Sequence, residues 1–274
     1  MIDFHTHIFP EKIAESTISY LSGIIEKKPS FNGMQDGLLA SMEEAGISCS
    51  VILPVVTKPS QFDSVNQYAA RFLDGRLISF AGIHPEDADY KSKLRSLREN
   101  GFRGIKFHPD YQGVYFNDIR FKRIVECATE NDLIVSVHAG IDPLSPNEVH
   151  CTPQMAAELI EDVAPTKLVL AHFGGHMMYD DVEKYLVGKH VYFDTGVMLD
   201  TIEESQFLRI VRTHGADKIL FGTDGPWAGQ KAYVKRMREI AFTEEEREMI
   251  FEGNAKRLLR IEERNGIDGI AKIL

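Results

Sequence analysis

The sequence has few of the features that would place a protein outside the cytoplasm or in a membrane. Its 274 residues include only three cysteines, Cys49, Cys127 and Cys151, whose odd number and wide spacing fit neither a disulfide framework nor a zinc finger. No apolar run approaches the roughly 20 residues that span a bilayer. No basic segment followed by an apolar stretch opens the sequence. We therefore expect a cytoplasmic protein with no signal peptide and no membrane partner.

Basic residues are also fewer than acidic residues. The chain carries 31 Lys and Arg against 41 Asp and Glu, a formal net charge of −10. An acidic surface repels polyanions at long range, so nucleic acid is not an expected partner. No low-complexity segment or linker interrupts the chain, and 43% of its residues are hydrophobic, enough for a large core. We expect one domain over residues 1–274 that acts on a small molecule, with a homo-oligomer left open.

The first seven residues carry the most informative pattern. Ile2 and Phe4 alternate with Asp3, His5 and His7, which predicts a strand. Residues two apart on a strand point to the same side, so the two imidazoles project side by side. Neutral imidazole nitrogen is a good ligand for zinc and similar divalent metals. The alternative is two surface histidines near a terminus.

Strands and helices alternate along the rest of the chain. Each predicted strand is followed by helical sequence, with a helix ending at Gly46 and another beginning at a capping box of Thr243 and Glu246. Seven more strands are predicted, at residues 48–54, 77–85, 102–109, 133–138, 167–172, 191–195 and 218–224. Strict alternation predicts a parallel sheet, and eight such units in about 250 residues are typical of a (β/α)8 TIM barrel.

Polar residues close most of these strands, at the edge where such barrels place their active sites. Six of the ten histidines lie there, more than packing alone explains. The residues are His5, His7, His84, Lys106, His108, His138, His172 and Asp224.

Six motifs in this order resemble the amidohydrolase superfamily. They are His5-Thr6-His7, Gly82-Ile83-His84-Pro85, Gly104-Ile105-Lys106-Phe107-His108-Pro109, Ala171-His172-Phe173-Gly174-Gly175, Ile219-Leu220-Phe221-Gly222-Thr223-Asp224 and Asn254-Ala255-Lys256-Arg257-Leu258-Leu259. The most similar branch is the amidohydrolase-related group that contains aminocarboxymuconate-semialdehyde decarboxylase. The resemblance runs from Met1 to about Ile261 and implies a distorted (β/α)8 barrel of metal-dependent hydrolase type with a catalytic divalent metal, usually zinc.

The resemblance also implies roles for individual residues. Its metal ligands map onto His5, His7, His138 and Asp224, a set of three imidazoles and one carboxylate that suits one zinc ion per chain. Asp224 and His172 are the implied catalytic residues, with His172 orienting or activating the water. In branches with two metals, His138 and His172 hold the second ion and a carboxylated lysine, here Lys106, bridges the pair. Lys106 could instead form an ion pair or bind a substrate carboxylate.

Five further polar residues are candidates for other roles. His84, His108 and His176 could contact substrate, or His84 and His108 could be hydrogen-bonded turn residues before proline. Asp194 ends a strand and could cap the following loop. Asp3 could support the metal ligands from a deeper layer of the barrel.

The resulting functional prediction is a metal-dependent hydrolase that attacks a small carboxylic amide, ester or lactone with an activated water. One alternative is a non-oxidative decarboxylase of an unsaturated or aromatic acid. Another is a catalytically inactive barrel that binds metal. A metal-dependent deoxyribonuclease of the TatD type shares the first motifs, but it requires a glutamate where Lys106 stands.

Overall fold

The computed structural model describes residues 1–261, which form an α/β fold of short parallel strands separated by helices. The strands are β1 (Ile2–Thr6), β2 (Cys49–Ile52), β3 (Leu77–Ser79), β4 (Ala81–Gly82), β5 (Gly104–Phe107), β6 (Ile134–Val137), β7 (Leu168–Leu170), β8 (Tyr192–Asp194) and β9 (Ile219–Leu220). The helices are α1 (Glu11–Ile25), α2 (Gln35–Ala45), α3 (Phe62–Ala69), α4 (Tyr90–Glu99), α5 (Pro109–Gln112), α6 (Ile119–Glu130), α7 (Pro153–Val163), α8 (Tyr179–Tyr185), α9 (Glu204–His214), α10 (Gln230–Glu239), α11 (Glu244–Glu248) and α12 (Asn254–Leu259).

The helix ends follow from local chemistry. Gly46 ends α2 in the left-handed conformation at φ +69°, which a residue without a Cβ adopts at no steric cost. Thr243 begins α11 with the predicted capping box, in which its hydroxyl accepts from Glu246 N at 3.1 Å. Glu246 returns the bond by accepting from Thr243 N at 2.8 Å.

The strands form two parallel sheets, in the orders β1-β2-β3 and β4 to β9. Both sheets share the extended segment of residues 77–82, whose first half pairs with β2 and whose second half pairs with β5. Phe80 interrupts the ladder, although its amide still donates to Ile52 O at 2.9 Å. The third predicted strand is therefore present as two short pieces, and this is the distortion in the barrel.

The other edges of the two sheets also meet. The amide of Phe4 donates to Phe221 O at 2.8 Å, and the amide of Asp224 donates to His5 O at 2.8 Å. Thr6 and Gly225 form a parallel bridge further along. The first and last strands are thus neighbours, and the predicted (β/α)8 architecture is confirmed.

A small apolar cluster separates the base of the ring from its polar end. Strands from all round the ring contribute to it, which places it inside: its residues include Phe4, Val51, Phe80, Ile134, Val169 and Leu220. Residues of α12 pack against the same cluster. A larger core lies between the strands and the surrounding helices. The carboxyl ends of the strands are left as the polar edge of the ring.

The alternation predicted for β1 breaks partway along it. Its register against β2 shifts between Asp3 and Thr6. The carboxylate of Asp3 accepts from Thr223 and from Gln230 Nε2, and its only contact with His5 is the backbone amide at 3.1 Å. Asp3 therefore fixes the backbone of β1 and does not touch the ring of His5.

The predicted single domain extends to residue 274, and its last thirteen residues lie outside the described part of the chain. Within residues 1–261, no helix combines the length and apolar character needed to cross a bilayer.

Candidate metal centre

Three side-chain atoms, from β1 and its end and from the segment after β9, converge at the carboxyl edge of the strands. His5 Nε2 lies 3.1 Å from His7 Nε2 and 3.1 Å from Asp224 Oδ1. His7 Nε2 lies 3.0 Å from the same oxygen of Asp224. Because β1 and the segment after β9 are hydrogen-bonded neighbours, the sequence brings these residues together through the closure of the ring.

The far nitrogen of each imidazole already has an acceptor. His5 Nδ1 lies 2.9 Å from Asp194 Oδ2, and His7 Nδ1 lies 3.0 Å from Leu53 O. A neutral imidazole has a single N–H, so donation to these acceptors leaves a lone pair on each Nε2. Burial lowers the pKa of His5 well below its usual value, so its ring is neutral at pH 7.

This arrangement fits a cation. Two lone pairs and a carboxylate oxygen about 3 Å apart repel one another unless a positive charge lies between them. Two imidazoles and a carboxylate are ligands that zinc and related divalent metals accept. His5, His7 and Asp224 therefore suit the divalent metal that the sequence predicts.

Asp224 is ionised and lies in an unusual backbone conformation. Burial favours its neutral form, whereas the neighbouring His5, His7 and His172 favour the ionised form and lower its pKa to about 2. Its φ is +65°, in the left-handed region that residues with a Cβ rarely adopt. Backbone strain of this kind is concentrated at functional sites, and it persists only where the surrounding structure enforces it.

His172 lies beside this group and contacts His138. The rings of His5 and His172 have their centroids 5.1 Å apart. His172 Nδ1 lies 3.1 Å from Gly196 O, and His172 Nε2 lies 3.0 Å from His138 Nδ1. His172 also has a left-handed backbone, with φ +54°. Burial lowers its pKa, so its ring is neutral at pH 7.

His138 is the predicted ligand that lies apart from the other three. His5, His7 and Asp224 are close enough together to share an ion. His138 is in a different group, with His108 and Asp110. Its place in the first cluster requires a lone pair on Nδ1 and remains a prediction.

Lys106 is inside the barrel, as its position on β5 predicts. Its residue surface is 1% exposed, and its amine has no hydrogen-bond acceptor among residues 1–261. Burial lowers its pKa to about 8, against the opposing charges of Asp194 and Asp224. It is therefore mainly a cation at pH 7, close to the carboxylate of the candidate centre.

The three candidate substrate contacts have different surroundings. His84 accepts a hydrogen bond from Glu86 N at 3.2 Å, a local turn contact. His108 stacks on His138, with ring centroids 4.0 Å apart. His176 lies beside His172, with ring centroids 5.8 Å apart. The contacts of the described residues thus bring His108 and His176 to the cluster and give His84 a turn role.

Sequence reasoning missed three carboxylates or gave them other roles. The sequence predicts that Asp194 caps the following loop, and its Oδ1 does accept from Gly196 N at 2.9 Å. Its Oδ2, however, lies 2.9 Å from His5 Nδ1. Asp110 lies two residues beyond His108, in α5. Asp142 lies in the loop after β6 and is 3.4 Å from His108 Nε2. The available signal in the sequence was that Asp110 and Asp142 follow closely after the strand-ending histidines His108 and His138.

Comparison with known proteins identifies the family of this chain. The sequence model of the family described as Amidohydrolase matches residues 2–261. No curated protein matches the sequence.

Several solved structures have a similar fold. A 2,6-dihydroxybenzoate decarboxylase superimposes with a TM-score of 0.72 at 15% identity, over 95% of this chain and 99% of that one. A dihydroxybenzoic acid decarboxylase from Polaromonas sp. JS666, solved with manganese and the inhibitor 2-nitroresorcinol, gives 0.68 at 16% identity, over 94% and 96%. The probable 2-pyrone-4,6-dicarboxylic acid hydrolase from Acinetobacter baumannii gives 0.64 at 17% identity, over 94% and 98%. At these identities the likeness is one of fold.

Proposed function

Because the chain belongs to the amidohydrolase family, whose members are enzymes, we propose that it is a metal-dependent hydrolase of a small carboxylic amide, ester or lactone. The observation that carries the proposal is the convergence of His5 Nε2, His7 Nε2 and Asp224 Oδ1 within 3.1 Å of one another. Both imidazole N–H groups point away from this convergence, toward Asp194 and Leu53.

His5, His7 and Asp224 would hold the metal, with His138 as the predicted fourth ligand. When bound there, a divalent metal supplies a Lewis acid that acidifies water and polarises a carbonyl group. Zinc is the ion that the donor set favours by chemistry, and the manganese in the Polaromonas decarboxylase makes that ion the second choice.

Asp224 is the general base in this proposal. Its pKa of about 2 keeps it ionised through the neutral range, so it can accept the proton of the attacking water. The same carboxyl group then returns the proton to the leaving group.

His172 orients the water. Its Nδ1–H donates to Gly196 O, so its Nε2 is an acceptor. That atom lies 3.0 Å from His138 Nδ1 and would take a hydrogen bond from water once His138 Nδ1 binds the metal. In this tautomer it has no hydrogen to donate to an oxyanion. This tautomer therefore favours orientation of the water over stabilisation of an oxyanion.

Isotope labelling tests the reaction class. Protein loaded with zinc or manganese is incubated with a panel of lactones, esters and amides in water enriched in ¹⁸O. Hydrolysis places one labelled oxygen in the carboxylic acid product, and chelation abolishes turnover. A panel that gives no labelled product with either metal argues against the proposal.

Decarboxylation is the second candidate, and Lys106 is the observation that favours it. A buried ammonium group without a protein acceptor among residues 1–261 is able to bind a substrate carboxylate. The decarboxylases of similar fold act on carboxylated aromatic rings, as their names state. Release of CO2 from hydroxylated aromatic acids, without ¹⁸O entering any product, would place this reaction first.

The three cysteines support the expected compartment. Cys49, Cys127 and Cys151 are all buried and unpaired, and burial raises the pKa of each thiol. Unreactive free thiols are ordinary in a reducing environment, which supports the proposal of a cytoplasmic protein.

A further inference from the structure

Two buried polar atoms on the far side of the His138 ring have no hydrogen-bond partner within residues 1–261. They are His138 Nε2 and Asp110 Oδ2, which lie 4.0 Å apart. The two side chains are 7% and 0% exposed, so bulk water does not satisfy these atoms. Buried polar atoms in folded proteins almost always have a partner, so this pair requires an explanation.

The tautomer of His138 explains why the two atoms do not bind each other. Nδ1–H of His172 donates to Gly196 O, so Nε2 of His172 carries a lone pair. The contact of 3.0 Å between the two rings is then donated by Nδ1–H of His138. Nε2 of His138 is left with a lone pair, which a carboxylate repels. In this tautomer Nδ1 of His138 has no lone pair to offer a metal.

The ligand role predicted for His138 requires the other tautomer. A neutral imidazole carries one hydrogen, so a metal on Nδ1 places that hydrogen on Nε2. The hydrogen then faces Asp110 and also Asp142, whose Oδ2 lies 3.9 Å from Nε2. Metal-ligating histidines almost always donate their other N–H to a carboxylate, a backbone carbonyl or water. These two carboxylates are therefore the candidate acceptors.

The contacts of the two carboxylates distinguish them. Asp142 Oδ2 lies 3.4 Å from His108 Nε2, which is a nearer donor than His138. Asp110 Oδ2 has no donor within residues 1–261. The other oxygen of Asp110 accepts from His150 N at 3.0 Å and lies 3.1 Å from His150 Nδ1, so the carboxylate is held in place from that side. Asp110 is therefore the carboxylate with an oxygen to spare for His138.

Packing fixes the plane of the His138 ring. The ring stacks on His108, with centroids 4.0 Å apart and planes 12° apart, and it meets the ring of His172 at 64°. Within this plane Nδ1 faces His172, while Nε2 on the other side of the ring faces Asp110. Shortening the separation of 4.0 Å to the length of a hydrogen bond needs a movement of about 1 Å, which side-chain torsions allow.

We propose that Asp110 is a positioning residue, which accepts Nε2–H of His138 and so keeps Nδ1 available to the metal. It acts through His138 and touches neither the metal nor the substrate. The inference rests on the proposed function, because it requires a metal at His5, His7 and Asp224 with His138 as the fourth ligand.

Metal affinity tests the proposal. Asp110→Asn keeps an oxygen for His150 and presents an N–H to His138 Nε2, which favours the tautomer that cannot bind metal. We expect the affinity for zinc, measured by competition with a chromophoric chelator, to fall by about 10–100-fold. Asp142→Asn is the matched control, because it removes the same charge at 3.9 Å from the same nitrogen. Its affinity should change much less.

Nitrogen NMR of protein labelled with ¹⁵N-histidine provides a readout that a merely structural role would not change. The shifts of each ring show which nitrogen carries hydrogen, and His138→Gln identifies the signals of His138. Addition of zinc to wild type is expected to move the hydrogen from Nδ1 to Nε2 and to protect the new Nε2–H from exchange with water. In zinc-saturated Asp110→Asn, that protection should be lost.

The outcomes separate this proposal from the centre on which it rests. Equal affinities of Asp110→Asn and Asp142→Asn overturn the role of Asp110 and leave the centre intact. Zinc that binds without moving the hydrogen of His138 overturns the ligand role of His138 and this proposal with it. A wild type that binds no zinc contradicts both the centre and the proposal. If circular dichroism shows that Asp110→Asn fails to fold, wild type decides, since an unprotected Nε2–H in the zinc-loaded protein overturns the proposal.

Discussion

Asp194 Oδ2 lies 2.9 Å from Nδ1 of His5, and the two side chains are 0% and 1% exposed. This carboxylate fixes which nitrogen of the imidazole carries hydrogen. Its other oxygen accepts from the amide of His172 at 3.1 Å. One buried side chain thus positions a candidate metal ligand and the backbone of a candidate catalytic residue.

The first prediction concerns Asp194→Asn. The amide has one acceptor where the carboxylate has two, so either the ring of His5 or the amide of His172 loses its partner. We expect metal affinity to fall by about 10–100-fold, the usual effect of removing a carboxylate behind a ligating histidine. Competition with a chromophoric chelator measures it, with the exposed Asp63→Asn as the control. Unchanged metal affinity would mean that Asp194 acts only through its hydrogen bonds with backbone amides.

The second prediction separates ligand from catalyst. His172→Asn should leave the metal at His5, His7 and Asp224 in place and lower kcat by about 10²–10³-fold, the range for general acid–base groups and similar hydrogen-bonding groups. Asp224→Asn can still offer an oxygen to metal but cannot accept a proton, so turnover should fall below detection. Metal content and kcat are measured on the same preparations. Near-normal turnover in Asp224→Asn would leave His172 as the base.

The third prediction concerns the stability cost of Lys106. Its pKa of about 8 lies below the ordinary 10.5, so the folded state disfavours the charged form by about 3 kcal/mol at pH 7. Lys106→Met should therefore stabilise the metal-free protein by about 1–3 kcal/mol while lowering activity. The gain should shrink as pH rises from 8 to 10.5, where the lysine loses its proton. Urea denaturation measures it, and a destabilised variant would indicate a partner or a modification on the amine.

The fourth prediction concerns pH and His214, which is far from the centre. His214 Nδ1 accepts from Gly188 N at 3.1 Å, and Nε2 lies 2.8 Å from Val191 O. Burial lowers its pKa from 6.5 to about 4. The unfolded chain therefore binds more protons between these values, and stability falls by about 3 kcal/mol as pH drops from 6.5 to 4.

Substitution isolates this contribution. His214→Gln should flatten the dependence of unfolding free energy on pH over that interval. His190→Gln, in an exposed ring, should leave the dependence as in wild type. Equal slopes in wild type and His214→Gln would assign the acid sensitivity to other groups.

Much of the architecture was predictable because strand periodicity and strand-ending polar residues are local signals. The alternation around His5 and His7 predicted β1, and the apolar run before Asp224 predicted the last strand. The two meet because the ring closes, which the count of strands implied. The position of Lys106 inside the barrel followed from the same alternation along β5.

What escaped prediction depends on contacts that periodicity does not encode. The break at Phe80 arises because residues 77–82 pair with β2 in their first half and with β5 in their second half. Asp110 and Asp142 follow their strands in loops, where no period fixes direction, and they meet His138 only in three dimensions. The tautomer of His172 depends on a backbone oxygen, that of Gly196, which no residue identity reveals.

Closure of the ring by residues 217 positions apart has a consequence for biogenesis. His7 leaves the ribosome well before Asp224, which follows it by 217 positions. A nascent chain that lacks Asp224 therefore has only two of the three converging ligands, His5 and His7, and cannot hold the ion tightly. Loading must wait for the last strand to dock, a slow long-range event. Acquisition of metal during refolding would then report the final step of assembly, later than the appearance of helical circular dichroism.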